Sequence, residues 1–199
     1  MSSTGAPAST TWRGGPEPSV PAPTVIAVTA APTRDAQRAR VYRAEDAWAA
    51  RLDAARQGAV LATVGGSALV LPAERRLGSL QAAADYCGRV LALPAVCAAF
   101  GEVDPPALRT RRGGRSAHWE SPGTIALHVP PHGEPWALRE SVLLHELAHH
   151  VGETTGRARG HRPPFPAVVL LLVRAVLGAE AELVLRVEYG QSDVEVGVV

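Results

Sequence analysis

The segment His145-Glu146-Leu147-Ala148-His149 combines residue types at a spacing that suits metal-assisted hydrolysis. Residues four apart on an α-helix lie one turn apart on the same face, so His145 and His149 can present imidazole nitrogens to one metal ion. Glu146 points about 100° away from His145, which suits a carboxylate that exchanges a proton with an activated water without binding the metal. The pattern predicts a zinc-dependent metallohydrolase in which Glu146 is the general base.

A catalytic zinc ion needs a third protein ligand, with its fourth position left open for water. His161 follows His149 by twelve residues, and Gly152, Gly156 and Gly160 lie between them. Glycines allow the backbone angles with which a chain leaves a helix and turns back. His161 is therefore the preferred third ligand.

The elements around the motif are those needed to position it. Residues 136–151 contain no Gly or Pro, with Pro135 just before them and Gly152 just after, which predicts a helix carrying the motif. Two strands, at 108–119 and 124–129, are expected to precede it. The other expected elements are a helix over 35–57, a hairpin of 59–64 with 68–71, a helix over 80–93 capped by Ser79, a helix over 164–177 and a strand over 182–189.

The motif, followed by His161-Arg162-Pro163-Pro164-Phe165, resembles the SprT-like and minigluzincin-like zinc metallopeptidases. In those proteins HExxH is followed at a similar distance by a third histidine in a motif close to His-Gly-Pro-x-Phe, and Arg162 departs from its usual Gly. With the upstream segment 40–48 included, the chain is similar to a group of uncharacterised actinobacterial HExxH metallohydrolases over residues 38–190.

This resemblance implies a compact zincin-like α+β domain, with a small mixed or antiparallel sheet, an active-site helix and packing helices. It also implies that the protein is a peptidase, and that the strand at 124–129 lines the cleft and pairs with an extended substrate. A gluzincin-like site would instead take its third ligand from Glu180 or Glu182. The metzincin pattern is excluded because Thr155 stands where its third histidine would be.

Two other functions compete with a peptidase that acts on a peptide or protein substrate. One is a non-catalytic zinc-binding regulatory or interaction module, which would not need Glu146. The other is a DNA-associated protease of the Spartan kind. A formal net charge of +1 and the lack of a zinc-ribbon Cys pattern argue against nucleic acid as a partner.

Composition predicts a two-part chain. Residues 1–33 are rich in Pro, Ala, Ser and Thr and predict a disordered arm, whereas residues 34–199 are long enough for one domain. The arm lacks the features of a secretory signal, and the apolar stretch 167–177 is too short to cross a membrane. The expected location is the cytoplasm, and Cys87 and Cys97 are expected to be core residues.

A hydrolase of this kind needs a further hydrogen-bond donor for the negative charge that develops on the substrate oxygen. Tyr189, Arg139 and Arg162 carry suitable groups, and the sequence does not choose among them. His150 is expected either to lie on the surface or to support the site without binding the metal, because it faces about 100° away from His149.

Overall fold

The computed structural model describes residues 35–58, 61–64, 66–112, 117–129 and 136–199, so the predicted arm lies outside the described residues. Within these ranges the chain is α+β, as the sequence predicts, with small sheets among six α-helices. The helices are α1 (Arg38–Arg56), α2 (Leu80–Leu91), α3 (Pro94–Phe100), α4 (Glu140–Thr154), α5 (Pro164–Leu177) and α6 (Ala179–Gln191), and a 3-10 turn covers Trp136–Leu138. The strands are β1 (Leu61–Val64), β2 (Ser67–Val70), β3 (Ala107–Thr110), β4 (Ala117–Glu120) and β5 (Thr124–Leu127).

Helix α1 packs on α6. Its buried residues Val41, Ala44, Trp48 and Leu52 recur at helical spacing, as predicted. The indole Nε1 of Trp48 donates to the carbonyl of Ala181 at 3.1 Å, so the buried ring keeps its polar atom satisfied. Because the apolar stripe of α1 is buried in the core, only the other faces of this helix can contribute side chains to a functional site.

The three-stranded sheet differs from the prediction in two respects. The expected strand at 108–119 is two separate strands, β3 and β4, and the strand order is β3-β5-β4. Strand β5 is parallel to β3 and antiparallel to β4, so it is central and has no free edge. Ile125, Ala126 and Leu127 are each fully buried, which is typical of a central strand covered on both faces. Because both edges of β5 are occupied, the prediction that this strand pairs with an extended substrate is wrong.

One further prediction, at the C-terminal end of the domain, is wrong. Residues 182–189 are not a strand but part of α6, because Ala181, Val184, Leu185 and Tyr189 bury one helical face. Pro94 follows the end of α2 and begins α3, where the missing N–H of a first-turn proline costs no hydrogen bond. The Ser79 cap is confirmed, since its side chain accepts from the backbone N–H of Ala82 at 3.1 Å.

The motif helix α4 runs past Gly152 and ends at Thr154. Gly152 lies inside the helix because the returning chain packs directly on it, and Ala158 donates to its carbonyl at 3.1 Å. Gly156 and Gly160 have φ values of 70° and 54° and make the turn that brings His161 back.

Within the described part of the chain, no single helix is both long and apolar enough to span a membrane, and α2 with α3 reaches that length only as a pair bent by 67°. Cys87 and Cys97 are both free thiols, the first fully buried and the second half-buried.

The contact at Gly152 generates a stability prediction. A Cβ at this position would lie 2.7 Å from the Cβ of Ala158, so Gly152→Ala forces the turn away from the helix. We expect the free energy of unfolding to fall by about 1–3 kcal/mol, measured by urea denaturation. The matched control is Gly190→Ala in α6, where nothing lies within 4 Å of the added carbon and stability should stay constant or rise. Equal stability of the two variants would contradict the packing argument.

Candidate metal centre

The structure brings together the three histidines that the sequence singled out. His145 and His149 lie one turn apart on α4, and the turn after α4 carries His161 to the same place. One ligand atom from each lies within 4.8 Å of the other two, so the cluster could hold a metal ion. Their ring centroids are 4.8 to 5.3 Å apart, and the His145 and His161 side chains are buried.

The alternative glutamates do not belong to this cluster. Glu182 binds Arg186 at 2.6 Å and lies 3.6 Å from Arg174, while Glu180 is exposed. Phe165, the last residue of the five-residue segment that begins at His161, is fully buried and stacks on His149 with a centroid distance of 4.2 Å. The geometry therefore favours His161 as the third member of the set.

Two carboxylates orient the buried histidines. Glu45 Oε2 lies 2.6 Å from His145 Nδ1, and Asp35 Oδ2 lies 2.7 Å from His161 Nδ1. An imidazole that donates its Nδ1 proton to a carboxylate presents the lone pair of Nε2 to a metal. In both histidines Nε2 is buried and has no protein partner.

These orphaned nitrogens provide the test of whether a metal fits. Buried polar atoms normally have a hydrogen-bond partner, so two unpartnered Nε2 atoms beside a third imidazole are unusual for a packed core. Three imidazoles without a thiolate are a donor set that suits a divalent transition metal such as zinc. The residues present therefore fit a metal ion.

The turn that carries His161 is held by the chain ahead of α1. The backbone N–H of His161 also donates to Asp35, at 3.0 Å, and its carbonyl accepts from Gln37 Nε2 at 2.6 Å. The side-chain oxygen of Gln37 in turn accepts from the backbone of Glu195 at 3.1 Å. His161 is thus fixed by contacts from both ends of the described chain.

The pKa values of the cluster follow from burial and these pairs. Burial, together with the charges of the other two histidines, lowers the pKa of His149 to about 2. Burial also lowers the pKa of His161, although Asp35 opposes it. Burial alone would lower the pKa of His145, but Glu45 outweighs it and raises that pKa. His149 and His161 are therefore neutral, as metal ligands must be.

Glu146 lies beside the cluster with its side chain almost fully buried. Burial raises the pKa of this carboxyl group, against the charge of His145 and a backbone hydrogen bond from Trp119. Its Oε2 atom has no hydrogen-bond partner. A carboxylate with a raised pKa and a free oxygen is suited to accepting a proton and returning it.

A cavity of about 450 Å³ opens beside His145 and Glu146. One wall is α1, and the others come from the start of α4, from Trp136 and from Ala117 of β4. Tyr42 contributes to the α1 wall, and its ring stacks on His145 at a centroid distance of 5.1 Å with an interplanar angle of 26°. Burial, and next the charge of Glu146, raises the pKa of Tyr42.

The donors that the sequence offered for the substrate oxygen are engaged elsewhere or lie outside this cavity. The hydroxyl of the fully buried Tyr189 donates to Glu45 Oε1 at 2.6 Å. Arg139 lines the cavity but is ion-paired with Glu74 and Asp53. Arg162 is exposed and is not among the residues that line the cavity.

Two of the remaining histidines, His150 and His118, have partners of their own. His150 is buried, contacts the carbonyl of Asp104 through Nε2 at 2.7 Å and accepts from the Trp119 indole at 3.3 Å. It therefore ties α4 to β4 and supports the site from outside, as expected. His118 lies 2.8 Å from Glu120 on β4, and His132 lies outside the described residues.

Three residues beside the cluster were not predicted from the sequence as parts of the site: Asp35, Tyr42 and Glu45. Together with Arg38 they occupy one helical face, at intervals of three or four residues in and just before α1. That spacing of residues on the face beside the apolar stripe was the available signal, but nothing local indicated which distant residues the face would meet.

A scan of protein-family models, a search of curated proteins and a search of solved structures found no match to this chain. The functional argument therefore depends on the geometry of the cluster itself.

The contact between Glu45 and His145 predicts an effect on metal affinity. Glu45→Gln removes the charge that orients His145, so we expect zinc to bind roughly 10- to 100-fold more weakly, as measured by competition with a chromophoric chelator. The matched control is Glu188→Gln, which removes another buried carboxylate whose partner is Arg51, at 2.6 Å, and not a histidine. Its zinc affinity should equal that of the wild type. Equal zinc affinity in Glu45→Gln would remove Glu45 from the metal centre.

Proposed function

We propose that this protein is a zinc-dependent hydrolase that cleaves peptide bonds, with His145, His149 and His161 as metal ligands and Glu146 as general base. The observation that carries the proposal is the pair of buried, unpartnered Nε2 atoms that converge with His149 beside a buried carboxylate. On this proposal the α+β domain is zincin-like, because helix α4 carries the metal ligands and packs against the small sheet.

An enzyme is favoured over a purely structural zinc module for two reasons. Structural zinc sites are closed by four protein ligands, whereas catalytic sites have three and keep one position open. Within the described residues the cluster has three members, and one of them, His145, lines the cavity. A structural site would also have no use for Glu146, which lines the same cavity and has an oxygen without a hydrogen-bond partner.

When bound here, zinc would polarise a scissile carbonyl and lower the pKa of a water molecule. Glu146 takes a proton from the attacking water as the water oxygen forms a bond to the carbonyl carbon. The carbon–nitrogen bond then breaks, and the proton held by Glu146 passes to the leaving amine. One water is consumed, and the products are a carboxylate and an amine.

A peptide is the substrate class best supported by strand β4. It pairs with β5 on one side, and among the described residues no strand pairs with its other side. The backbone N–H of Trp119 lowers the pKa of Glu146, so this free edge faces the proposed base. Ala117, two residues earlier, has the same orientation and lines the cavity. An extended peptide could therefore add to β4, the role that the sequence assigned to 124–129.

Nucleic acid is not part of this proposal. Arg109 begins an arginine-rich stretch at 109–115 and is ion-paired with Glu120 at 2.5 Å, and the formal net charge is only +1. A DNA-associated protease would need a surface of unpaired basic residues along the phosphate backbone.

The test is hydrolysis of a diverse peptide mixture by the zinc-loaded protein in ¹⁸O-labelled water, with new C-termini detected by mass spectrometry. Wild type should produce labelled termini, and Glu146→Gln should lower the rate roughly 10²- to 10⁴-fold while zinc content stays the same. Glu102→Gln, which changes an exposed carboxylate elsewhere, is the matched control and should cleave at the wild-type rate. Cleavage by Glu146→Gln at the wild-type rate would exclude Glu146 as the base. A zinc-loaded wild type that cleaves nothing would instead support the structural module.

A further inference from the structure

We propose that the hydroxyl of Tyr42, whose ring lies beside Arg38, donates a hydrogen bond to the substrate oxygen that becomes negatively charged during hydrolysis. The inference rests on the proposed hydrolase function and assigns Tyr42 as a catalytic residue of that site. It replaces Tyr189, Arg139 and Arg162, which were the candidates from sequence.

The position of Tyr42 is the first argument. Its ring centroid lies 5.1 Å from that of His145 and also 5.1 Å from that of His161, so the phenol packs against two of the three imidazoles that would hold the metal. Tyr42 and Glu146 line the same cavity. A substrate carbonyl that comes within reach of Glu146 and the metal therefore lies beside Tyr42.

The partner of Tyr42 is the second argument. Arg38 precedes it by one helical turn, and its guanidinium carbon lies 5.5 Å from the ring centroid. A guanidinium has only donors, so it takes no hydrogen from the phenol, and the phenolic hydrogen remains available for an acceptor. The Arg38 contact also polarises the O–H bond towards donation.

The charge of Arg38 is the third argument. Arg139, Arg51 and Arg76 each bind a carboxylate, whereas no ion pair of Arg38 occurs in the described part of the chain. Arg38 lines the cavity and is exposed, so its charge faces the volume that a substrate would enter. A donor hydroxyl beside a cation is an arrangement that stabilises an anion preferentially over a neutral carbonyl.

The test uses cobalt-substituted full-length protein and dimethylphosphinate, a tetrahedral anion that resembles the charged, tetrahedral stage of peptide hydrolysis. Binding is followed through the visible absorption of cobalt. Tyr42→Phe should weaken phosphinate binding roughly 10-fold or more, because a hydrogen bond to a charged group is lost, while cobalt affinity stays at the wild-type value. Tyr86→Phe, which removes a phenol hydroxyl from the core helix α2, is the matched control and should leave both affinities unchanged.

A second variant keeps the inference testable if Tyr42→Phe is unstable. Arg38 is exposed, so Arg38→Gln should fold normally and weaken phosphinate binding in the same direction by a smaller factor, about threefold. Unchanged phosphinate affinity in Tyr42→Phe or in Arg38→Gln would overturn the inference. So would a cobalt-loaded wild type that binds no phosphinate, or a parallel loss of cobalt affinity in Tyr42→Phe, which would make Tyr42 a positioning residue. Failure of the wild type to bind cobalt would count against the proposed function itself.

Discussion

Two carboxylate–imidazole hydrogen bonds, Glu45 to His145 and Asp35 to His161, join parts of the chain that are 100 and 126 residues apart. They connect α1 and the residues just before it to the motif helix and to the turn beyond that helix. Without them α1 would be an ordinary amphipathic helix packed on α6. With them, its polar face becomes one wall of the metal centre and of the adjoining cavity.

The same bonds create a cost that a bound cation would remove. Each fixes its histidine so that Nε2 points into a buried space where it has no protein partner. Leaving a buried polar atom unsatisfied costs about 1–3 kcal/mol, so the cluster without a metal destabilises the fold. A bound ion would satisfy these atoms and would convert that cost into metal affinity, coupling metal binding to stability.

The sequence was sufficient where local geometry decides the outcome. Helical spacing fixes the relation of His145 to His149, and the glycines after α4 supply the turn that returns His161. The sequence alone was insufficient for the features that tertiary packing determines. Residues 182–189 read as a strand until the burial pattern of α6 is seen, and the central place of β5 depends on strand pairing that no local pattern encodes. Asp35, Tyr42 and Glu45 acquire their roles only through contacts with the distant motif.

The central claim is that three imidazoles, from His145, His149 and His161, hold one zinc ion. Zinc K-edge X-ray absorption on the zinc-loaded wild type, His161→Ala and Glu182→Gln tests it most directly. Three imidazole nitrogens at about 2.0–2.1 Å are predicted for the wild type and for Glu182→Gln, and two or none for His161→Ala. A wild-type spectrum with fewer than three imidazoles, or one that changes with Glu182→Gln and not with His161→Ala, would contradict it.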